Sequence, residues 1–181
     1  MSTMELKTDR LRLRPLTLDD LDVYAVIIAD PDVQTWLNGG VPRDGNYAGD
    51  YLRRLDKSWK EKGFTRFGVF RRQRAELIGH CGPMDNEGII DMGWTLARQA
   101  WGQGFCSEAA AAVVSWFFDA GHGDYVTAKA FSGNQASIGV MQKIGMTWDH
   151  QTVFSHPDYP AYEGETMEHY AITLQDHLSR R

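Results

Sequence analysis

The stretch that most constrains the fold is FCSEAAAAVVSWFF, residues 105–118, whose fourteen residues leave almost no polar face. A helix of this composition must be buried on several sides. No run of 18 apolar residues, the length of a membrane span, occurs anywhere in the chain. The segment therefore predicts a helix enclosed by other layers of a water-soluble domain.

In the rest of the chain, apolar residues recur every two residues in some segments and about every 3.6 residues in others. The first spacing predicts strands and the second predicts helices. Period two predicts strands at 11–16 (an edge strand), three short antiparallel strands between 64 and 96, and strands at 125–131, 146–154 and 167–174. Helices are expected from Thr17 to Asp30-Pro31, from Tyr47 to Gly63 and over 135–144. The order β-α-α-β-β-β-α-β-α-β-β predicts one α/β domain over residues 1–181. We expect a twisted mixed sheet of about seven strands with helices on both faces.

The composition limits the classes of binding partner that we expect. Acidic residues outnumber basic ones, 24 to 19, and a net charge of −5 argues against a nucleic-acid partner. The first twenty residues carry four basic and four acidic residues and no apolar stretch of signal-peptide length, so we expect a cytoplasmic protein without a membrane partner. Two cysteines and six histidines show no zinc spacing, so no metal is expected.

A second informative feature is the junction before the apolar helix, where Gly102 and Gly104 follow a strand that ends near Leu96. A strand that runs through glycines into a helix aims unpaired N–H groups and the positive end of the helix dipole at one point. Such a point can bind phosphate or pyrophosphate. The residues around Gly102 and Gly104 match neither a Walker A loop nor a Rossmann G-x-G-x-x-G fingerprint. On the residues alone, an anion site and a plain tight turn remain open.

Longer motifs favour the anion site. DMGWTL at 91–96, followed by WGQGFCSEA at 101–109, resembles the acetyl-coenzyme A motif of the GNAT N-acetyltransferases. The RimJ/RimL-like branch typically reads E-[IV]-G-Y-W-L and then W-G-[KQ]-G-[YF]-A-[TS]-E-A. NQASIGVMQKIGM at 134–146 and RLRLRPL at 10–16 also resemble that branch. The similarity covers nearly the whole chain, and it implies the GNAT fold and an acetyl-CoA-dependent transfer to a primary amine.

The resemblance implies acetyl-CoA as co-substrate, with its pantetheine arm between the strand at 94–96 and the strand that starts at Tyr125. The phosphate motif fits best when framed from Trp101, which leaves Leu96 five residues before it. The residues implied to bind the cofactor are Trp94, Thr95, Leu96, Trp101, Gly102, Gln103, Gly104, Phe105, Cys106, Ser107, Asn134 and Lys143.

For catalysis the resemblance points to Asp91, Asn134 and Ser137. Asn134 is expected as an N-cap, as a side-chain amide that binds the pantetheine or a water, or as both. In much of the family a Tyr four residues after Ser137 protonates the departing thiolate, and Met141 stands there. Ser137 or water must therefore be the acid, unless the thiolate needs none. Asp91 is a candidate general base or a structural carboxylate, and its competitors are His156, Glu163 and Glu165.

Two other patterns carry weaker expectations. Cys106 lies near a helix N-terminus, which lowers a thiol pKa, but no His is placed to support a nucleophile. The basic run Arg71, Arg72 and Arg74 is expected at a solvated hairpin tip.

In the fold that the resemblance implies, the loop between the first two helices and the loop between the last two strands flank the acetyl end of the cofactor. Both loops carry aromatic and acidic residues here, so we expect an acceptor pocket with walls formed by Trp36, Tyr47, Tyr159 and Tyr162. Such a pocket favours a cationic amine, although these aromatics could equally just pack the loops. The acceptor is a protein N-terminus, such as that of a ribosomal protein, or a small-molecule amine. The alternative function is a catalytically silent coenzyme A-binding sensor or assembly module. A monomer and a homodimer both remain open.

Overall fold

One mixed sheet organises the chain, as seen in a computed structural model that describes residues 4–180. Its eight strands lie in the order β1-β2-β3-β4-β5-β6-β8-β7. Within this part of the chain every neighbouring pair is antiparallel except β5 and β6. The strands are β1 (Leu6–Lys7), β2 (Leu11–Pro15), β3 (Phe67–Arg71), β4 (Glu76–Asn86), β5 (Ile89–Leu96), β6 (Tyr125–Phe131), β7 (Thr147–Val153) and β8 (Thr166–Thr173).

Helices cover both faces of this sheet, as the sequence predicts. They are α1 (Leu21–Ile28), α2 (Pro31–Gln34), α3 (Gly45–Lys62), α4 (Phe105–Asp119), α5 (Gln135–Lys143) and α6 (Leu174–Leu178). The core on the α4 and α5 side is the larger of two main clusters, and the other lies under α1 and α3. Ala109, Val113 and Phe117 of α4 are fully buried, which confirms that the apolar helix is enclosed.

Local signals place most helix ends. Thr17 and Asp20 form a capping box before α1. Asp44 accepts a hydrogen bond from the Tyr47 amide at the start of α3, and Gly63 ends α3 in the left-handed conformation at φ +77°. The boundaries of these helices therefore follow from short-range chemistry, and the buried cluster under α1 and α3 packs both helices on the sheet.

Three features differ from the expectation. The predicted edge strand at 11–16 is an inner strand, because β1 pairs with its outer side and makes an eighth strand. Pro31 ends α1 as expected but also starts α2, since the Asp30 side chain accepts from the Asp32 amide and caps a new turn. A short helix, α6, follows β8. None of the helices within residues 4–180 has the length and apolar character to cross a bilayer.

Candidate active site

The defining feature of the site is a gap between β5 and β6. The two strands are in register at a single pair, Asp91 with Thr127, where the Thr127 hydroxyl donates to the Ile90 carbonyl at 3.1 Å. The opposite edge of β5 is paired with β4 along its whole length, and that of β6 with β8. The strands therefore diverge beyond Asp91, and the backbone groups along the gap have no strand partner in this structure. An extended ligand can pair with such groups as an added strand.

The glycine loop lies at the open end of this gap. Gly102 and Gly104 are both left-handed, at φ +71° and +77°, and a Cβ on either would meet nothing closer than 3.5 Å. Within the described chain the amides of residues 102–107 donate to no protein acceptor, and the first amide of this region that does so is Glu108, which donates to Gly104. Consecutive free amides at a helix N-terminus form an anion-binding concavity. The geometry fits a pyrophosphate.

Two arginines support this loop. Arg10 donates to the Gln103 carbonyl at 2.9 Å and pairs with Glu108 of α4 at 2.6 Å. Its guanidinium lies 4.5 Å from the Phe105 ring, and that of Arg71 lies 5.0 Å from it. Arg71 is thus part of the loop's packing, and the expectation that it belongs to a solvated tip is wrong. Arg71 is the last residue of β3, and its side chain points toward Phe105 at the start of α4.

Side chains of the phosphate motif hold the loop from within. The Trp101 indole donates to the Leu96 carbonyl at 2.8 Å, and the side-chain amide of Gln103 donates to the Gln99 carbonyl at 2.7 Å, while its backbone N–H stays free. Leu96 is 6% exposed and packs in the core. These predicted cofactor residues therefore stabilise the conformation of the loop. Their contact with the cofactor stays a prediction.

The other predicted cofactor residues lie on different elements and differ in burial. Thr95 is buried beside its cross-strand neighbour His80. Lys143 is exposed in the last turn of α5. Cys106 and Ser107 are half-buried at the start of α4. Burial raises the pKa of the Cys106 thiol to about 12, so the expected lowering by the helix dipole does not prevail and no thiolate forms at neutral pH.

The start of α5 meets β5 across the gap. The Asn134 side-chain oxygen accepts from the Ser137 amide at 3.2 Å, which makes Asn134 the N-cap. The Trp94 indole donates to the Ser137 hydroxyl at 3.0 Å. Since a hydroxyl both donates and accepts, Ser137 keeps its own proton available. Met141 is fully buried.

Asp91 lies where the two strands part. Its side chain is 14% exposed, 3.5 Å from the Thr127 hydroxyl and 3.9 Å from a terminal nitrogen of Arg66. Burial raises the pKa of Asp91, and the cations Arg66 and Lys129 oppose the rise. A raised pKa makes a carboxylate a better proton acceptor. The competing groups His156, Glu163 and Glu165 are exposed in the loop before β8.

Behind Asp91 lies a buried polar chain that the sequence did not indicate. Arg66 donates to the Tyr51 hydroxyl at 2.9 Å. The two ring nitrogens of His80 face the hydroxyls of Tyr51 and Tyr24, at 3.4 and 3.1 Å. The members come from α1, α3, β4 and the segment before β3. Tyr24 and Tyr51 fit the apolar patterns of their own helices, and no spacing in the sequence connects them with Arg66 or His80.

The structure brings together three of the four predicted acceptor residues. Trp36, Tyr159 and Tyr162 pack in one small cluster with Phe131 at the end of β6. The Tyr162 hydroxyl donates to the carbonyls of Thr35 and Leu37, at 2.9 and 3.2 Å. The packing alternative therefore applies to Tyr162, which is 8% exposed. Tyr47 stands apart, half-buried and stacked on Tyr51.

No group of three or more histidine, cysteine, aspartate or glutamate residues among residues 4–180 is arranged to hold a metal ion.

Comparisons with known proteins agree with this geometry. Residues 10–147 match the family described as "Acetyltransferase (GNAT) domain". The uncharacterized N-acetyltransferase p20 of Bacillus licheniformis is 31% identical over 172 residues, which cover 93% of this chain and 94% of p20. A GNAT-family acetyltransferase structure from Bacillus anthracis superposes with a TM-score of 0.82 at 24% identity, and covers 95% of this chain and 99% of its own.

A further solved structure is that of RimL, a ribosomal L7/L12 alpha-N-protein acetyltransferase, in complex with coenzyme A. It gives a TM-score of 0.80 at 15% identity and covers 96% of this chain and 99% of RimL. At this identity the likeness concerns the fold.

Proposed function

We propose, because the chain belongs to the GNAT family of acetyltransferases, that it transfers the acetyl group of acetyl-CoA directly to a primary amine. The observation that carries the proposal is the divergence of β5 and β6 beyond Asp91, with the free amides of 102–107 at its open end. A ligand with an extended amide-bearing arm and a pyrophosphate matches both parts. We also propose that residues 1–181 act as one acetyltransferase domain of the RimJ/RimL-like branch.

Acetyl-CoA, when bound, supplies an acetyl group activated as a thioester. The amides of 102–107 would hold its pyrophosphate, and the free backbone edges of β5 and β6 would hold its pantetheine. The remaining predicted ligands, such as Lys143 and Asn134, would contact the rest of the cofactor.

We assign opposite proton transfers to Asp91 and Ser137. Side chains three residues apart on a strand point to opposite faces, so Asp91 faces the α3 side while Trp94 reaches Ser137 on the α5 side. We propose that the Asp91 carboxylate takes a proton from the incoming ammonium group. The Ser137 hydroxyl gives its proton to the sulfur whose bond to the acetyl carbon breaks. The acetyl carbon gains the bond to nitrogen, and the nitrogen then loses its second proton, which restores the Ser137 hydroxyl by way of solvent. Coenzyme A leaves as the thiol.

The acceptor reaches this centre from the side of Trp36, Tyr47 and Tyr159. These aromatic residues suit the apolar stem of a cationic amine. RimL, which shares the fold, is described as an acetyltransferase of a ribosomal-protein N-terminus. We therefore propose a protein N-terminus or a small-molecule amine as the acceptor, in a cytoplasmic setting.

The test is a panel of amines, including polyamines and N-terminal peptides of ribosomal proteins, incubated with acetyl-CoA and assayed for free thiol. With at least one amine, free coenzyme A should form at a rate proportional to the enzyme concentration. With that amine, Asp91→Asn should lower kcat by about 10²–10⁴-fold, the usual contribution of a general base. The KM for acetyl-CoA should stay close to that of the wild type.

Asp85→Asn is the matched control, since Asp85 is a carboxylate on the neighbouring strand that pairs with Lys62 at 3.0 Å. It should leave kcat unchanged. If acetyl-CoA binds and no amine in the panel is acetylated, the chain is a silent coenzyme A-binding module. If Asp91→Asn keeps full activity, another group or water is the base.

A further inference from the structure

We propose that Arg66 is a positioning residue of this site: its guanidinium lies across β5 at Gly93, is held there by Tyr51, and keeps the Asp91 carboxylate ionised and oriented. This inference rests on the proposed role of Asp91 as the general base. In this proposal Arg66 acts through Asp91 and does not itself touch the reacting atoms.

The first support is the space at Gly93. A Cβ built on Gly93 would lie 2.4 to 2.8 Å from three guanidinium atoms of Arg66, and Gly93 itself has no unusual backbone conformation. Glycine at position 93 therefore leaves space for the Arg66 guanidinium, and no turn requires it. Gly93 stands two residues after Asp91 on the same face of β5, which puts the guanidinium directly beside the carboxylate.

The second support is the anchor on the far side of Arg66. One terminal nitrogen donates to the Tyr51 hydroxyl at 2.9 Å, and the other faces Asp91 at 3.9 Å. Tyr51 is 7% exposed, stacks on Tyr24, and shares His80 with it. A hydroxyl fixed in this way restricts the rotamers of Arg66, so that the charge stays beside Asp91.

The third support is the charge balance at Asp91. The cations that face Asp91 are Arg66, from the segment before β3, and Lys129, from β6. Lys129 is exposed, whereas the Arg66 side chain is 21% exposed. A cation in a partly buried setting is less screened by solvent, so Arg66 contributes more to the ionised state of Asp91.

The experiment is a ¹³C-carboxyl NMR titration of Asp91 in the wild type, Arg66→Met and Lys129→Met, with Asp91→Asn used for assignment. Removing a nearby cation destabilises the carboxylate, so the pKa of Asp91 should rise in Arg66→Met, and by more than in Lys129→Met. With an active amine, the acidic limb of the kcat/KM profile should move to higher pH in Arg66→Met. Its kcat at pH 7 should fall by about tenfold, less than the loss of the base itself.

Gly93→Ala covers the case in which Arg66→Met does not fold, because it displaces the guanidinium without removing the charge. The pKa of Asp91 should rise here too, and Gly45→Ala, whose Cβ would meet nothing within 4 Å, should leave it unchanged. An unaltered Asp91 pKa in Arg66→Met or Gly93→Ala, or an equal rise in Lys129→Met, overturns the proposal. The titration needs no substrate, so it separates this outcome from a failure to find an amine that is acetylated.

Discussion

At the scale of single residues, Ser137 shows how a weak acid can be prepared by its neighbours. Its amide is fixed by Asn134 and its oxygen accepts the indole proton of Trp94. A hydroxyl that accepts a hydrogen bond donates its own proton more readily, since bonded groups polarise one another. We therefore expect the reactivity of Ser137 to depend on Trp94.

The variants Ser137→Ala, Trp94→Phe and their combination test this dependence. Each single change should lower kcat for the best amine, and the double variant should cost little more than Ser137→Ala, because both remove one interaction. Trp148→Phe is the control, since the indole of Trp148, on the outer strand β7, also donates a hydrogen bond, to Glu168 of β8 at 2.8 Å. Additive effects of the two changes would show that Trp94 acts only by packing.

His80 gives a residue-scale prediction for stability. Burial, with help from Arg66 and Arg54, lowers the pKa of His80 well below 6.5. Below about pH 6.5 the unfolded chain binds a proton at this position and the folded protein does not. The free energy of unfolding should therefore fall as pH decreases from about 6.5, with a slope of up to about 1.4 kcal/mol per pH unit from this group.

Urea unfolding at a series of pH values measures this slope. His80→Phe should be less stable near pH 7, because the Tyr24 and Tyr51 hydroxyls lose their partner, but its pH slope below 6.5 should be smaller. Some slope should remain, since burial also lowers the pKa of His122 and His169. Equal slopes in the wild type and His80→Phe would contradict a neutral buried His80.

At the scale of elements, the two ends of α4 offer a matched pair of glycines. Gly104 precedes the helix at φ +77° and Gly121 follows it at φ +70°, and neither would bring a Cβ closer than 3.5 Å to another atom. Substitution by Ala therefore introduces the same backbone strain at both ends. The ends differ in function, because only the N-terminal one presents free amides.

Thermal unfolding with and without acetyl-CoA should separate the two variants. Acetyl-CoA at about 100 times its Kd should stabilise the wild type and Gly121→Ala by about 2.7 kcal/mol. Gly104→Ala should show much less stabilisation at the same concentration, and NAD and ATP should stabilise none of the proteins. Equal stabilisation of Gly104→Ala and Gly121→Ala would place the pyrophosphate elsewhere.

The elements also show which parts of the fold the sequence could predict. The end of α3 and the bounds of α4 were predicted to within one residue, because Gly63 and the apolar run express short-range rules. The start of α3 was predicted two residues late, at Tyr47, because the Asp44 cap was not recognised. The two-residue strand β1 was missed because it is shorter than any periodic signal, and α2 because Pro31 also reads as a helix end. In the site, Asp91 and the glycine loop were found through one contiguous motif. Arg66 and His80 were missed because tertiary contacts alone join them to Asp91 and Tyr24.

At the scale of the whole molecule, distant segments close around the end of β6. The segment 35–40 after α2 and the 160–162 turn before β8 are far apart in sequence, yet the Tyr162 hydroxyl ties them through the carbonyls of Thr35 and Leu37. Trp36 and Tyr159 pack in the same cluster. The position of the proposed acceptor entrance therefore depends on one side chain that joins two loops.

Tyr162→Phe should release these loops while leaving the ring packed against Phe131. The hydroxyl carries one proton, which the carbonyls of Thr35 and Leu37 share, so its loss should lower the free energy of unfolding by about 1 kcal/mol, measured by urea denaturation. Amide hydrogen exchange should rise in segments 35–40 and 160–165, and the KM for the amine should rise while the affinity for acetyl-CoA stays unchanged. Tyr125→Phe, at a tyrosine that is 43% exposed at the start of β6, should change none of these quantities. If exchange rises in both loops and the KM for the amine does not move, the acceptor enters by another route, and Trp36 and Tyr159 serve the packing of the loops alone.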